Sequence, residues 1–178
     1  MPELIVLKFD ETYGAQHAMG ALRSLTESHK TWIDDVAIVE RHKSGRIATH
    51  TTHGSVVAGA WFGGMTGMLI GLLFPPAFFP LFVVGAGAGA LAEKLVKETG
   101  LDHEMLDEIR ASLVKGTSAL IMIGAEGDVD DMAEAFAEYH PSETIRRPLP
   151  EHTVEQMQTK LEEAQADAQR GASDEAPR

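Results

Sequence analysis

Residues 54–92 read GSVVAGAWFGGMTGMLIGLLFPPAFFPLFVVGAGAGALA, which is 39 consecutive residues without Asp, Glu, Lys or Arg in a chain that is 24% charged. Within this stretch Gly59, Gly63, Gly67 and Gly71 recur every fourth residue, so in a helix they line one face as a groove bare of side chains. Gly85 and Gly89 repeat the spacing further on. Glycine inside a helix costs about 1 kcal/mol relative to alanine. Four of them are tolerable only if close backbone contact with another helix offsets the loss. Between the two glycine series lies Phe74-Pro75-Pro76-Ala77-Phe78-Phe79-Pro80, where the prolines end one helix and begin the next. The pattern predicts a glycine-zipper helical hairpin over 54–99 with an apolar tip made by Phe74, Pro75, Pro76, Phe78, Phe79 and Pro80.

An arm from Val56 to Phe74 would be about 28 Å long and one from Ala77 to Ala92 about 24 Å, against about 30 Å for a hydrocarbon core. Three placements suit such a hairpin: spanning a bilayer, dipping into it and returning, or burial among copies of itself. Trp61 near the base suits an interfacial anchor, and Lys94 and Lys97 suit a cytoplasmic flank. A water-bathed hairpin on a monomer is excluded by the apolar area it would expose.

Outward from the hairpin, the chain reads as two β-α-β units. Leu4 to Phe9 is an apolar strand. Ala15, Ala18, Met19, Leu22 and Leu25 fall on one helix face, and Val36, Ile38 and Val39 form a second strand. Lys43-Ser44-Gly45 turns into an edge strand, Arg46–Thr52. After the hairpin, Ala119–Ile123 reads as a strand, Met132, Ala133, Phe136 and Ala137 as a helix, and Thr144–Arg146 as a last strand. The expected class is α+β: a ferredoxin-like plait over 1–53 and 100–148, interrupted by the hairpin, with helices on one sheet face and the other open to pair with a second copy. Val154, Met157, Leu161 and Ala164 predict an amphipathic C-terminal helix in 149–170, lying on the domain or on a neighbouring subunit, and 171–178 reads as a disordered tail.

The balance of 27 acidic and 15 basic residues, a net charge of −12, argues against a nucleic-acid partner, which needs a basic face. Without cysteine, disulfides, thiolate catalysis and cysteine-held metals are excluded. The first residues lack the features of a secretory signal, so the bulk of the chain is expected to be cytoplasmic.

Little catalytic chemistry is legible. Gly85, Gly87 and Gly89 after Leu81–Val84, with Asp102 beyond, imitate a dinucleotide fingerprint, but an uncharged glycine-zipper arm precedes them in place of a βαβ unit. His50 and His53 are weak metal candidates: three residues apart on a strand they point to opposite faces, and no third ligand is evident. Asp102 reads as a helix cap, with Glu104, Asp107 and Glu108 on a solvated face. No catalytic residue and no cofactor is expected.

The opening Ile5-Val6-Leu7-Lys8-Phe9-Asp10, the Gly59–Gly71 series running into Leu72-Leu73-Phe74-Pro75, the Gly85–Ala90 repeat and Ser118-Ala119-Leu120-Ile121 together resemble a bacterial family of unknown function, described as predicted membrane proteins. The resemblance covers about residues 3–165. It implies the architecture and brings no activity with it. The expectation is a non-enzymatic, self-assembling homo-oligomer whose hairpins pack in or at membrane lipid as a scaffold or pore-like assembly. Its alternative is a soluble homo-oligomeric binding or sensing protein with the hairpins in a central apolar core or lipid-like ligand pocket.

Overall fold

The runs Leu4–Leu7 and Ala119–Ile123 are apolar at every position. Successive side chains of a strand point to opposite faces, so such runs need cover on both sides. The structure, a computed structural model, describes residues 2–51, 65–74, 96–97, 101–159 and 162. Their order is β1 (Glu3–Phe9), α1 (Gly14–Glu27), β2 (Thr31–Trp32), β3 (Asp35–Arg41), β4 (Ile47–Thr51), α2 (Met65–Leu73), α3 (His103–Ser112), β5 (Thr117–Gly127), α4 (Val129–Ala137) and β6 (Glu143–Pro148). Residues 151–159 are also helical. The chain is mixed α+β, with one antiparallel sheet in the order β4-β3-β5-β1-β6 and the short β2 paired to the end of β5.

Both faces of this sheet are covered. On one, Ile5, Leu7 and Phe9 of β1, Val36 and Ile38 of β3, and Leu120 and Met122 of β5 meet Ala15, Ala18, Leu22 and Leu25 of α1 and Met132 and Phe136 of α4. On the other, Leu4, Val6, Ala37, Val39, Ala119, Ile121, Ile123 and Ile145 meet α2, α3, Leu149 and Met157. The expected open face, and with it the architectural ground for pairing two copies there, is therefore corrected. The sheet spends that face on its own chain. The α4 stripe is narrower than its sequence suggests, because Ala133 and Ala137 are exposed. β5 extends beyond Ala119–Ile123 at both ends, and β2 has no counterpart in the sequence reading.

Helix ends are completed from across the fold. α1 starts at Tyr13, whose side chain makes no capping bond. The Ala15 amide instead donates to Ser118 Oγ at 3.0 Å, and that hydroxyl donates to the Glu11 carbonyl at 2.7 Å. One buried serine of β5 thus satisfies an amide that the helix cannot. Asp102 caps α3 by accepting from the Met105 amide at 2.6 Å, and Asp128 does the same for α4 at the amides of Asp130 and Asp131.

At Gly124 the β5 ladder carries one residue more than β1 opposite, where Glu3 and Leu4 face Ala125 and Ile123. Gly124 has φ +68°, and a Cβ there would lie 1.8 Å from Asp34 Oδ2, so both the bulge and the close approach require glycine. Gly20, exposed on α1, has open space around its missing Cβ. Gly124→Ala is expected to destabilise the domain by about 2 kcal/mol or more, and Gly20→Ala to stabilise it by roughly 0.5–1 kcal/mol. Urea unfolding of the two variants checks these opposite signs.

Candidate functional site: an uncharged helix docked on the sheet

The described part of the uncharged stretch is a helix built into the domain. α2 is Met-Thr-Gly-Met-Leu-Ile-Gly-Leu-Leu. It stops at Leu73 because the next residue, Phe74, precedes Pro75, and proline disfavours helical geometry in the residue before it. Leu69, Ile70 and Leu73 are fully buried, Leu72 and Phe74 nearly so, and all five share a core with the sheet, with α3 and with Val96. Removing each such side chain from water stabilises this arrangement by about 1.5–3 kcal/mol.

This placement bears on two features expected of the hairpin. Phe74, expected at the hairpin tip, lies in the protein core at 3% exposure. Gly71 is exposed, and a Cβ on it would meet nothing within 4 Å, so no helix of the described residues closes on it. Gly67 falls within α2. Gly59, Gly63, Gly85, Gly89, Pro75, Pro76, Phe78, Phe79, Pro80, Trp61, Leu161, Ala164 and the tail 171–178 lie outside the described residues. No helix among those described is long and apolar enough to cross a membrane.

The C-terminal end of α2 carries a chemical problem that its sequence sets. The Phe74 amide reaches the Ile70 carbonyl at 2.9 Å, but the residues four along from Gly71 and Leu72 are Pro75 and Pro76, which have no N–H to give. Arg110 of α3 supplies donors here. Its Nε donates to the Leu73 carbonyl at 2.6 Å and its Nη2 to the Leu72 carbonyl at 3.1 Å, while Nη1 donates to Asp107 Oδ1 at 2.5 Å. A cation at the negative end of a helix is also favoured by the helix dipole. Arg41 serves α3 in the same way through the Leu113 carbonyl at 2.6 Å.

His50 belongs to a second cluster, on the α1 face near the β3–β4 edge. It is exposed on β4 opposite Ile38, with Nε2 3.8 Å from Oε1 of Glu40. His42 Nε2 lies 3.6 Å from the other oxygen, and Glu40 itself is 2% exposed. The Tyr13 ring stands edge-on to His42 at 6.0 Å. These separations are too long for hydrogen bonds, and each imidazole faces a different carboxylate oxygen. Glu40 Oε1 and His42 Nε2 are buried without a hydrogen-bond partner among the described residues. Among the described residues no group of three His, Cys, Asp or Glu side chains is placed to hold a metal ion, and His53 lies outside them. The raised pKa values occur elsewhere: that of Lys30 through its hydrogen bond to Asp131, and that of Tyr139 through its hydrogen bond to Glu138. Both groups border α4, far in sequence from α2.

Arg110 and Glu40 were missed by the sequence reading. For Arg110 the available signal was the Pro75-Pro76 pair, which announces carbonyls without donors but not where a donor stands. For Glu40 it was a lone charge sharing strand parity with Val36 and Ile38.

Because Leu73 is core, Leu73→Ala is expected to lower the unfolding free energy of the whole domain by about 2–4 kcal/mol. Chemical denaturation in the absence of lipid measures it. A side chain kept for lipid contact alone would leave that curve unmoved.

No curated protein and no solved structure matches the chain significantly. A family match does exist, and it takes in α2, Arg110 and β5. It starts at residue 60, so β1, which contributed to the resemblance over 3–165, falls outside it. Matched over residues 60–162, more than half of its length, the chain belongs to the family described as protein of unknown function DUF1269.

Proposed function

We propose that this protein is a non-enzymatic, self-assembling protein whose glycine-rich stretch packs against copies of itself in or at a membrane, with the folded α+β domain on the cytoplasmic side. The observation that carries the reading is the run of 39 uncharged residues from Gly54 to Ala92, of which α2 is tied into the domain core. The domain then acts as the base of the assembly, and the four-residue glycine period supplies helix faces that approach closely. The order β6-β1-β5-β3, with α1 and α4 against one face, supports reading the base as a ferredoxin-like plait extended by β4.

A second reading has its own support. With Leu69, Ile70, Leu73 and Phe74 buried against protein, the stretch is at home in a protein interior, which favours a soluble homo-oligomer with its apolar segments gathered in a central core. Alkaline extraction separates the two. Retention in the membrane pellet and a need for detergent support the membrane assembly; a monodisperse, detergent-free cytosolic oligomer supports the soluble one.

Under either reading Gly63→Leu and Gly67→Leu are expected to reduce the assembly to smaller species while far-UV circular dichroism keeps its wild-type shape. Light scattering coupled to size exclusion decides the matter. An unaltered oligomer in both variants refutes the glycine packing.

A further inference from the structure

The apolar side chains of α2 have two claimants. Leu69, Ile70, Leu72, Leu73 and Phe74 lie against the sheet and α3 at 0–8% exposure, and side chains in that position cannot touch lipid or another copy at the same time. We propose that Arg110 is a latch: by capping the Leu72 and Leu73 carbonyls it adds to the apolar contacts that dock α2, and its release shifts the balance toward an undocked segment available for membrane association. The inference rests on the membrane-assembly reading above and names how that association is restrained.

Three features of the molecule argue for it. The first is chemical necessity at the helix end. Pro75 and Pro76 deny the Gly71 and Leu72 carbonyls the amides that would normally follow. A carbonyl without a donor is expensive in hydrocarbon, so the end of α2 is favoured wherever a donor is fixed nearby. For the Leu72 carbonyl Arg110 is that donor when α2 lies on the domain, and the same guanidinium serves the Leu73 carbonyl beside it.

The second is geometry. The guanidinium spans two successive carbonyls, with Nε at 2.6 Å from one and Nη2 at 3.1 Å from the other, a fork that a lysine ammonium does not reproduce. Its third nitrogen is held by Asp107, one turn back on α3, so the fork is steadied by the helix that carries it.

The third is accessibility. The Arg110 side chain is 41% exposed and Asp107 69%, which places the latch at the rim of the core, open to competition from solvent, ions or a partner. The apolar contacts behind it are interior.

The test compares the full-length wild type with Arg110→Gln, using Arg23→Gln, an exposed position of α1 on the other side of the sheet, as a control with the same change in net charge. Hydrogen–deuterium exchange reads the docking of residues 65–74, and flotation with neutral phosphatidylcholine vesicles reads association without a contribution from net charge. Arg110→Gln is expected to speed exchange in α2 and to raise the vesicle-bound to free ratio by roughly tenfold, the scale of losing a charged hydrogen-bonded contact. Arg23→Gln should leave both at the wild-type level. Unchanged exchange in α2 of Arg110→Gln overturns the latch alone. Faster exchange with no vesicle binding by either protein sinks the membrane reading and, with it, the regulatory role. Should Arg110→Gln fail to fold by circular dichroism, Arg110→Lys, which keeps the charge but loses the fork, is expected to shift both readouts in the same direction with smaller amplitude; no shift in either would overturn the proposal.

Discussion

The central constraint is that the sheet must be dry on both faces. β1, β3 and β5 carry apolar side chains at both parities, and water on either side would leave a row of Leu, Ile and Val exposed. One face is met conventionally by α1 and α4, whose buried residues recur at helical spacing. The other is met by α3, by Met157 and Leu149, and by α2, an uncharged helix from the stretch that looks least like part of a soluble domain. What the sequence sets apart as an insertion therefore contributes to the central core, and that shared core ties the behaviour of the stretch to the stability of the domain.

Burial of α2 creates the polar demands that the rest of the chain answers. Helix ends inside or beside a core need partners for amides and carbonyls that the helix leaves over. Here they come from distant positions: Ser118 for the start of α1, Arg110 for the end of α2 and Arg41 for the end of α3. Where a cap is local, as at Asp102 and Asp128, it could be read from the sequence, because the capping side chain lies two or three residues from the amide it serves. Where it is remote it could not, since 103 residues separate Ala15 from Ser118 and nothing in either neighbourhood refers to the other. Charge follows the same division. Among the described residues the acidic side chains of Asp35 and Glu40 are buried, and Glu40 stands between two imidazoles.

Covered and open sheet faces were distinguishable in principle. A sheet with one wet face alternates apolar and polar residues, whereas Leu4-Ile5-Val6-Leu7 and Ala119-Leu120-Ile121-Met122-Ile123 do not alternate. The continuous runs are the legible sign of a second layer, whereas the β-α-β pattern by itself specifies helices on one face only. The identity of that layer was less accessible. α3 advertises its apolar stripe at Met105, Leu106 and Ile109, but α2 is apolar nearly all round, so periodicity gives no direction to its packing. β2 is two residues long, too short for any period to register.

By itself the sequence determined the α+β class, the positions of the main strands and of α1, α3 and α4, the cap at Asp102, and the anomaly of an uncharged glycine-rich stretch. Those features depend on neighbours along the chain: period, cap spacing and the fixed chemistry of proline and glycine. Only the tertiary structure decided that both sheet faces are filled, that Leu69 to Phe74 lie against the domain core, that Arg110 closes the end of α2 and that Gly71 faces outward. Each of these is a choice of partner, and partners are chosen by shape and unsatisfied polarity across space, which a one-dimensional pattern of hydrophobicity does not encode.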